Sequence, residues 1–204
     1  MNHLVKVCIV DCGIGNIASI YNGALASGHD VIVSSDPEKI SKSSHLILPG
    51  VGSFQKGMEG IMSRGLVKIL NDQVLSKKKP VLGICLGMQL FASHSFEDGY
   101  HKGLNWIKGK VEKINNNLNN IKVPHMGWNQ VTLHSAHPVF EGIASGSYFY
   151  FVHSYYARPE DKTLVLGTTE YGLRFCSVIA QDNLVATQFH PEKSGALGLR
   201  LYEN

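Results

Sequence analysis

The chain has 204 residues, 44% of them hydrophobic, and a formal net charge of +3, which suits a single domain over residues 1–204 with a large core. Its one basic run, Lys77 to Lys79, precedes an apolar segment and favours a solvated helix end over a nucleic-acid surface. We therefore expect no nucleic-acid partner. No apolar stretch is long enough to cross a bilayer, so we expect no membrane partner either.

The first half of the chain predicts strands that alternate with helices. Apolar runs predict strands at residues 4–10, 30–34, 44–48 and 79–84. Helical patterns cover residues 17–27, closed by Gly28, and residues 86–91. This alternation is typical of a parallel sheet with right-handed crossovers, whose functional sites lie at the carboxyl ends of the strands.

The second half of the chain predicts mostly strands. They are expected at residues 106–114, 122–133, 147–157, 164–169 and 178–189. Residues 115–120 form an asparagine-rich turn or loop, and residues 196–204 have helical spacing without a clear cap, compatible with a native chain that continues past Asn204. The predicted fold class is α/β, with a mostly parallel central sheet, flanking helices and antiparallel additions in the second half.

Four cysteines with no signal peptide predict reduced thiols in the cytosol, and ten histidines show no recognisable metal-ligand spacing. We therefore expect no metal and no cofactor. Cys8 and Cys176 lie in apolar strand patterns and are predicted core residues, whereas the role of Cys12 stays open.

Cys85 lies where the strand at 79–84 turns into the helix at 86–91, with Gly83 and Gly87 two residues to either side. This is the spacing of the Gly-x-Ser-x-Gly nucleophile elbow, with cysteine in place of serine. The first amides of the helix would point at the sulfur and donate to an oxyanion. A buried structural cysteine is the alternative, but packing alone does not need the two glycines.

A thiol nucleophile needs a base, and the sequence offers His190 at the end of a strand pattern. A bend at Pro191 would let the Glu192 carboxylate accept from one imidazole nitrogen while the other faces Cys85. These residues form a candidate Cys–His–Glu triad. An ordinary strand-end histidine and a solvated loop acid are the alternatives for each residue taken alone.

Two glycine-containing loops follow predicted strands. In Pro49-Gly-Val-Gly52 the glycines on either side of Val51 allow a close approach to a ligand, with a plain turn as the alternative. The loop Asp11-Cys-Gly-Ile-Gly-Asn16 lacks the Lys-Ser/Thr of a P-loop and the third glycine of a dinucleotide fingerprint, so we exclude nucleotide binding there.

Five segments, spread over nearly the whole chain, carry a family resemblance. They are Pro49-Gly-Val-Gly-Ser-Phe54, Gly83-Ile-Cys-Leu-Gly-Met-Gln-Leu90, Pro124-His-Met-Gly-Trp-Asn129, Tyr148-Phe-Tyr-Phe-Val-His-Ser-Tyr155 and Gln188-Phe-His-Pro-Glu-Lys-Ser194. The chain resembles class I glutamine amidotransferases and, more narrowly, the glutaminase subunits of imidazole glycerol phosphate synthases. The third and fourth segments are specific to that branch. The segment at 11–16 also fits, although the family usually has an aromatic residue where this chain has Cys12.

The resemblance implies a flavodoxin-like fold and hydrolysis of glutamine to glutamate and ammonia by the candidate triad. It implies an oxyanion site made by amides of the Gly50, Val51 and Gly52 loop, after a peptide near Val51 flips, and by the Leu86 amide. The implied glutamine-binding residues are Gly52, Gln89, Ser154 and Tyr155. A core position for Tyr155 is the alternative, and His153 is a weaker candidate with a structural role as its alternative.

No segment of the sequence looks able to use the ammonia, so a partner is predicted. The resemblance implies a heterodimer with a separate TIM-barrel cyclase subunit, which receives ammonia through its interior and forms imidazole glycerol phosphate in histidine biosynthesis. The implied interface residues are Asn16, Met126, Trp128 and Lys193. Core packing is the alternative for Trp128.

Two other functions stay open from the sequence. A paralogue with the same glutaminase chemistry would serve another acceptor, such as a surface-polysaccharide sugar. A free-standing Cys–His hydrolase or peptidase would turn over without a partner, and would need neither Gln89 nor the segment at 124–129.

Overall fold

A computed structural model describes residues 5–115 and 121–204. Residue 4 of the first predicted strand and residues 116–120 of the predicted loop lie outside the described part. The strands are β1 (Lys6–Val10), β2 (Asp30–Ser34), β3 (His45–Leu48), β4 (Val81–Ile84), β5 (His94–Ser95), β6 (His101–Lys102), β7 (Gly109–Lys113), β8 (His125–Leu133), β9 (Ser147–His153), β10 (Tyr155–Pro159), β11 (Val165–Glu170), β12 (Arg174–Gln181) and β13 (Leu184–Thr187). The α-helices are α1 (Ile17–Ala26), α2 (Pro37–Lys42), α3 (Phe54–Ser63), α4 (Leu66–Asn71), α5 (Leu86–Leu90) and α6 (Gly195–Glu203).

The main sheet has nine strands in the order β2-β1-β3-β4-β13-β12-β11-β8-β9. The first five strands in this order, β2, β1, β3, β4 and β13, pair in parallel. The other four, β12, β11, β8 and β9, extend the sheet with antiparallel pairs. This topology confirms the predicted α/β class. It also brings the carboxyl ends of β3, β4 and β13 together at one edge of the sheet, where the loops that follow them meet.

The inner parallel strands β1, β3, β4 and β13 are mostly buried on both faces, which explains why they are apolar runs. In β1, Cys8 and Val10 pack on the side of α3, α4 and α5, whereas Val7 and Ile9 pack on the side of α1 and α6. Successive side chains of a strand point to opposite faces, so a two-sided core needs an apolar residue at every position. Cys8 and Cys176 are buried, which confirms their predicted core positions.

The structure divides two of the predicted strands. The stretch at 147–157 is two strands, β9 in the main sheet and β10 in a second sheet of order β10-β7-β5-β6, with Ser154 between them. The stretch at 178–189 belongs to the hairpin of β12 and β13, whose turn residue Asp182 has φ 51°. Both corrections have one cause, because apolar periodicity does not reveal where a strand changes partner.

The strand predicted for residues 106–114 is shorter in the structure, where it is limited to β7 (Gly109–Lys113). Trp106 therefore lies outside the strand. Its ring centroid is 4.9 Å from that of Phe91, and its indole N–H donates to Asn71 Oδ1 at 2.7 Å. The sequence patterns also assigned no elements to residues 54–76, where α3, α4 and a π-helical turn (Asp72–Ser76) lie. These three elements cover one face of the sheet beside β3 and β4.

We predict that Gly87→Ala destabilises the fold by about 3 kcal/mol. A Cβ at Gly87 would lie 1.9 Å from the Leu48 carbonyl oxygen, so α5 would have to move away from β3. Urea unfolding followed by circular dichroism measures the change. The matched control is Gly57→Ala, where a Cβ would meet only side-chain atoms of Leu90 and Ile14 at 3.1–3.3 Å and would favour α3. Equal destabilisation of the two variants would contradict the prediction.

Candidate active site

Cys85 occupies a sharp turn between β4 and α5. Its backbone has φ 52° and ψ −105°, a conformation that non-glycine residues rarely adopt, and its N–H donates to the Thr187 carbonyl at 2.7 Å. A Cβ at Gly83 would lie 2.8 Å from the Phe91 ring. The glycine pattern therefore corresponds to a real requirement for space around the turn, and the thiol is 6% exposed.

His190 and Glu192 form a buried pair next to Cys85. β13 ends at Thr187, and a single 3-10 turn (Pro191–Lys193) brings Glu192 back toward the imidazole. His190 Nδ1 lies 2.7 Å from Glu192 Oε1, and both side chains are 1% exposed. His190 Nε2 has no hydrogen-bond partner among the described residues and is free for a proton transfer. The bend that the sequence suggested at Pro191 is present.

The electrostatics of this cluster favour a protonated imidazole. Burial alone lowers the pKa of His190, but the negative charges of the Cys85 thiolate and the Glu192 carboxylate raise it to about 9. At neutral pH the imidazole beside Cys85 is therefore protonated. Such a Cys–His pair combines a nucleophile with a proton donor.

The other three thiols are unsuited to nucleophilic chemistry. Burial raises the pKa of Cys8 to about 11, and it raises those of Cys12 and Cys176 to about 12. They stay protonated at neutral pH, and all four cysteines are free. Cys12, whose role the sequence left open, packs in the core beneath β1, and its thiol lies 3.4 Å from the Val10 carbonyl.

Cys85 opens into a cavity of about 300 Å³. Its lining residues are Val51, Gly52, Cys85, Leu86, Gln89, Glu97, Pro124, Val152, His153, Ser154 and Tyr155. All four residues expected to bind substrate belong to this set, as does His153. The division of 147–157 at Ser154 places the residues on both sides of that bend in the cavity wall.

Glu97 is a cavity residue that sequence reasoning missed. Its carboxylate accepts from the Phe54 backbone N–H, and burial raises its pKa above the usual value. No motif marks it, because it follows the two-residue strand β5 in a segment without periodicity. Its place in the wall depends on the packing of the second sheet beside α3.

The loop after β3 lies against the start of α5. The Leu86 N–H donates to the Gly50 carbonyl at 3.4 Å, so one of the amides expected to stabilise an oxyanion is already engaged. A Cβ at Gly50 would lie 2.5 Å from the Leu86 Cβ, and Gly52 has φ 116°. Rotation of the peptide between Gly50 and Val51 would replace this carbonyl with the Val51 N–H. In the present conformation the two expected donors do not converge.

Gln188 lies directly beneath the nucleophile and also lacked an assigned role. Its side-chain amide nitrogen is 3.5 Å from the Cys85 sulfur, and its carbonyl accepts from Gln89 Nε2 at 3.2 Å. The residue is fully buried. Gln188 is the first residue of the segment that contains His190. Its spacing from the other candidate residues predicted no role for it.

Three of the four expected interface residues share one surface. Met126 is 62% and Trp128 56% exposed on the outer face of β8, so core packing of Trp128 is wrong. The Trp128 and Tyr150 ring centroids are 6.2 Å apart, and Lys193 Nζ is 5.8 Å from the Tyr150 centroid. Asn16 is exposed at the start of α1, where its side chain accepts from the Ser19 N–H.

The described residues contain no group of three His, Cys, Asp or Glu side chains placed to hold a metal ion. None of their helices is long and apolar enough to span a membrane.

Comparison with known proteins identifies the family of the chain. Residues 8–202 match the family model for glutamine amidotransferase class-I. The chain is 48% identical over 198 residues to "Imidazole glycerol phosphate synthase subunit HisH 2" of Methanococcus maripaludis, covering 97% of each chain. It is 43% identical over 204 residues to "Imidazole glycerol phosphate synthase subunit HisH" of Pelagibacter ubique, covering 98% of each.

Solved structures share the fold at low sequence identity. A crystal structure titled glutamine amidotransferase has a TM-score of 0.74 at 16% identity, covering 97% of this chain and 96% of that one. PurLQS from Thermotoga maritima has a TM-score of 0.73 at 15% identity, covering 98% of this chain and 97% of its counterpart.

We predict that Cys85→Ala lowers the pKa of His190 from about 9, because the thiolate is the largest of the influences that raise it. Between the two midpoints the imidazole is protonated in the wild type and neutral in the variant. Nitrogen-detected NMR titration of the histidine rings measures both values. His153, which burial holds at a pKa of about 3, is the internal control and stays neutral above pH 5 in both proteins. An unchanged His190 midpoint would contradict the prediction.

Proposed function

Since this chain belongs to the class I glutamine amidotransferase family, we propose that it is the glutaminase subunit of an imidazole glycerol phosphate synthase in histidine biosynthesis. It hydrolyses glutamine to glutamate and supplies the ammonia to a cyclase partner. The observation that carries the proposal is Cys85 in its strained turn beside the buried His190–Glu192 pair. The full-length relatives named as synthase subunits support the pathway and a cytoplasmic location.

In the proposed mechanism the Cys85 thiolate attacks the side-chain amide carbon of glutamine, and His190 gives its proton to the departing nitrogen. Ammonia leaves, and a thioester remains on the sulfur. His190, now neutral, takes a proton from water, whose oxygen attacks the thioester and releases glutamate and the thiolate. Glu192 holds the imidazole through Nδ1, so that Nε2 faces the reacting atoms.

The tetrahedral intermediates carry an oxyanion, for which we propose the N–H groups of Leu86 and Val51. The second donor requires the peptide after Gly50 to rotate, because the Gly50 carbonyl now accepts from Leu86. Gly52, with φ 116°, gives the loop the backbone freedom for that rotation. The resting conformation binds glutamine without stabilising the charge that develops in the reaction.

Glutamine has an α-ammonium and an α-carboxylate, and the cavity has groups of suitable charge and polarity. We propose that the Glu97 carboxylate receives the ammonium. Both N–H groups of the Gln89 amide are already donated, to Tyr155 O and Gln188 Oε1, which leaves its carbonyl oxygen for the substrate. Ser154, Tyr155 and the Gly52 backbone complete the proposed substrate contacts.

A cyclase partner fits the exposed face of β8 and β9. Met126 and Trp128 project from this face, and exposed tryptophans are frequent interface anchors. Pro124 and Val152, which line the cavity, belong to the same region, so ammonia would leave toward the covered surface. Asn16 lies beside a loop whose Gly15 approaches Pro49 and Gly50, which supports a contact that reaches the oxyanion loop.

The alternatives differ in what they require of the partner. A free-standing hydrolase needs a formed oxyanion site, and the Gly50 carbonyl disfavours it. A paralogue that amidates another acceptor would use the same residues of this chain, because acceptor choice lies in the partner.

We predict that the purified chain hydrolyses glutamine slowly, and that a cyclase partner with its bound acceptor accelerates the reaction. Cys85→Ala should lower the stimulated rate about a thousandfold or more. A coupled glutamate assay measures both. Cys176→Ala is the matched control, since that thiol is buried away from the cavity. Strong activity without a partner would favour the free-standing hydrolase, whereas full activity of Cys85→Ala would overturn the nucleophile.

Val51→Pro removes the N–H that would complete the oxyanion site, and we predict a loss of about a hundredfold or more in kcat. Val51→Ala keeps the amide and should stay near the wild-type rate, because the Val51 side chain is exposed. Steady-state assays of the stimulated complex compare the variants, with circular dichroism as a check on folding. Equal rates of the two variants would rule out the Val51 amide as a donor.

A further inference from the structure

A chain of hydrogen-bonded polar groups, most of them buried, runs from β8 to the Cys85 sulfur. Its steps are Asn129 Nδ2 to His125 Nε2 at 3.2 Å, His125 Nδ1 to His153 Nε2 at 2.9 Å, His153 Nδ1 to Tyr155 O at 2.9 Å, Gln89 Nε2 to Tyr155 O at 2.8 Å, Gln89 Nε2 to Gln188 Oε1 at 3.2 Å and Gln188 Nε2 to Cys85 Sγ at 3.5 Å. The mechanism above uses only its last residues, and the two histidines have no part in it.

The Tyr155 backbone carbonyl determines which atoms donate and which accept in the hydrogen bonds of the two histidines. Tyr155 O can only accept, so His153 Nδ1 carries a proton, and the neutral ring accepts at Nε2. His125 must then donate from Nδ1 and accept from Asn129 at Nε2. Burial lowers the pKa of His125 to about 4 and that of His153 to about 3, so both rings are neutral at pH 7, as this pattern requires.

The same carbonyl determines the orientation of the Gln89 and Gln188 side-chain amides. Gln89 must turn its NH₂ toward Tyr155 O, and its second N–H then faces Gln188. Gln188 has to present its carbonyl there, because its own NH₂ would oppose the NH₂ of Gln89. The NH₂ of Gln188 is therefore held toward the sulfur. The Tyr155 backbone carbonyl therefore decides the orientation of both side-chain amides.

A thiolate at Cys85 would need a hydrogen-bond donor beside the sulfur. The Val152 carbonyl lies 3.8 Å from Cys85 Sγ and can accept from a thiol, but it repels a thiolate. The Gln188 N–H has the opposite preference and stabilises the charged form. Because the site is buried, a hydrogen bond to a charged group counts for more there than at the surface.

We propose that Gln188 is a hydrogen-bond donor to the nucleophile that favours the Cys85 thiolate, and that Gln89, His153 and His125 are positioning residues that hold its amide in this orientation. The inference rests on the proposed function for the identity of the nucleophile. The glutamine two residues before His190 and the buried histidine pair thereby act on the nucleophile without touching the substrate.

Alkylation of Cys85 by iodoacetamide as a function of pH tests the donor, with the modified cysteine identified by mass spectrometry. Gln188→Met keeps the size of the side chain and loses the donor, so the alkylation midpoint should rise by about one pH unit. Gln188→Glu places a negative charge beside the sulfur and should raise the midpoint further. In the glutaminase assay, kcat should fall about tenfold or more with little change in KM.

Gln73→Met is the matched control. Gln73 is also a buried glutamine, 1% exposed, but it bonds to Asp72 and Ser41 away from the cavity. This variant should lose stability without moving the alkylation midpoint. If Gln188→Met and Gln188→Glu leave the midpoint at the wild-type pH, the donor role is wrong.

The wild-type protein provides a second measurement, which holds even if the Gln188 variants fail to fold. Nitrogen-15 NMR should find the Nδ1–H tautomer in both His125 and His153 at pH 7. The Nε2–H tautomer in either ring would contradict the proposed direction of the hydrogen bonds. The proposed function fails separately. If wild-type Cys85 is alkylated no faster than Cys8, Cys12 and Cys176, the nucleophile itself is wrong, whatever the Gln188 variants do.

Discussion

The left-handed turn at Cys85 is the constraint on which the geometry of the site depends. Its N–H is bonded to Thr187 at the end of β13, and Gly87 on its other side lies against the Leu48 carbonyl at the end of β3. Three neighbouring strands therefore determine where the sulfur lies. Because β13 pairs with β4, the residues that follow β13 reach the thiol without any long connection, and a histidine and a carboxylate can meet it there.

The proposed catalytic cluster is buried, and burial requires that each of its charged groups has a partner. An isolated ion is costly to bury, so the protonated His190 is stable inside the protein because the Glu192 carboxylate and the Cys85 sulfur lie beside it. Glu192 supports the charge of His190 from one side, and the amide of Gln188 approaches the sulfur from another. The three remaining cysteines lack such neighbours and stay neutral thiols in the core.

The loop after β3 is the proposed oxyanion loop, and its conformation would separate a molecule that binds glutamine from one that hydrolyses it quickly. The Gly50 carbonyl accepts from the Leu86 N–H, and rotation of the following peptide would present the Val51 N–H in its place. In a subunit that supplies ammonia to a partner, the proposed rotation would limit wasteful hydrolysis until the partner is engaged. The exposed Met126 and Trp128 lie on the strand that starts beside the cavity, which places the proposed partner near that switch.

The sequence by itself determined the fold class, the elbow and the candidate triad. These depend on local signals: apolar runs that strands buried on both faces require, glycines around a tight turn, and a proline that ends a strand. Only the tertiary structure decided that Glu97 lines the cavity, that the Gly50 carbonyl meets Leu86, and that Gln188 faces the sulfur. Each of these contacts joins segments far apart in the chain, and the direction of a peptide or an amide is chosen by its neighbours in space rather than by its neighbours in sequence.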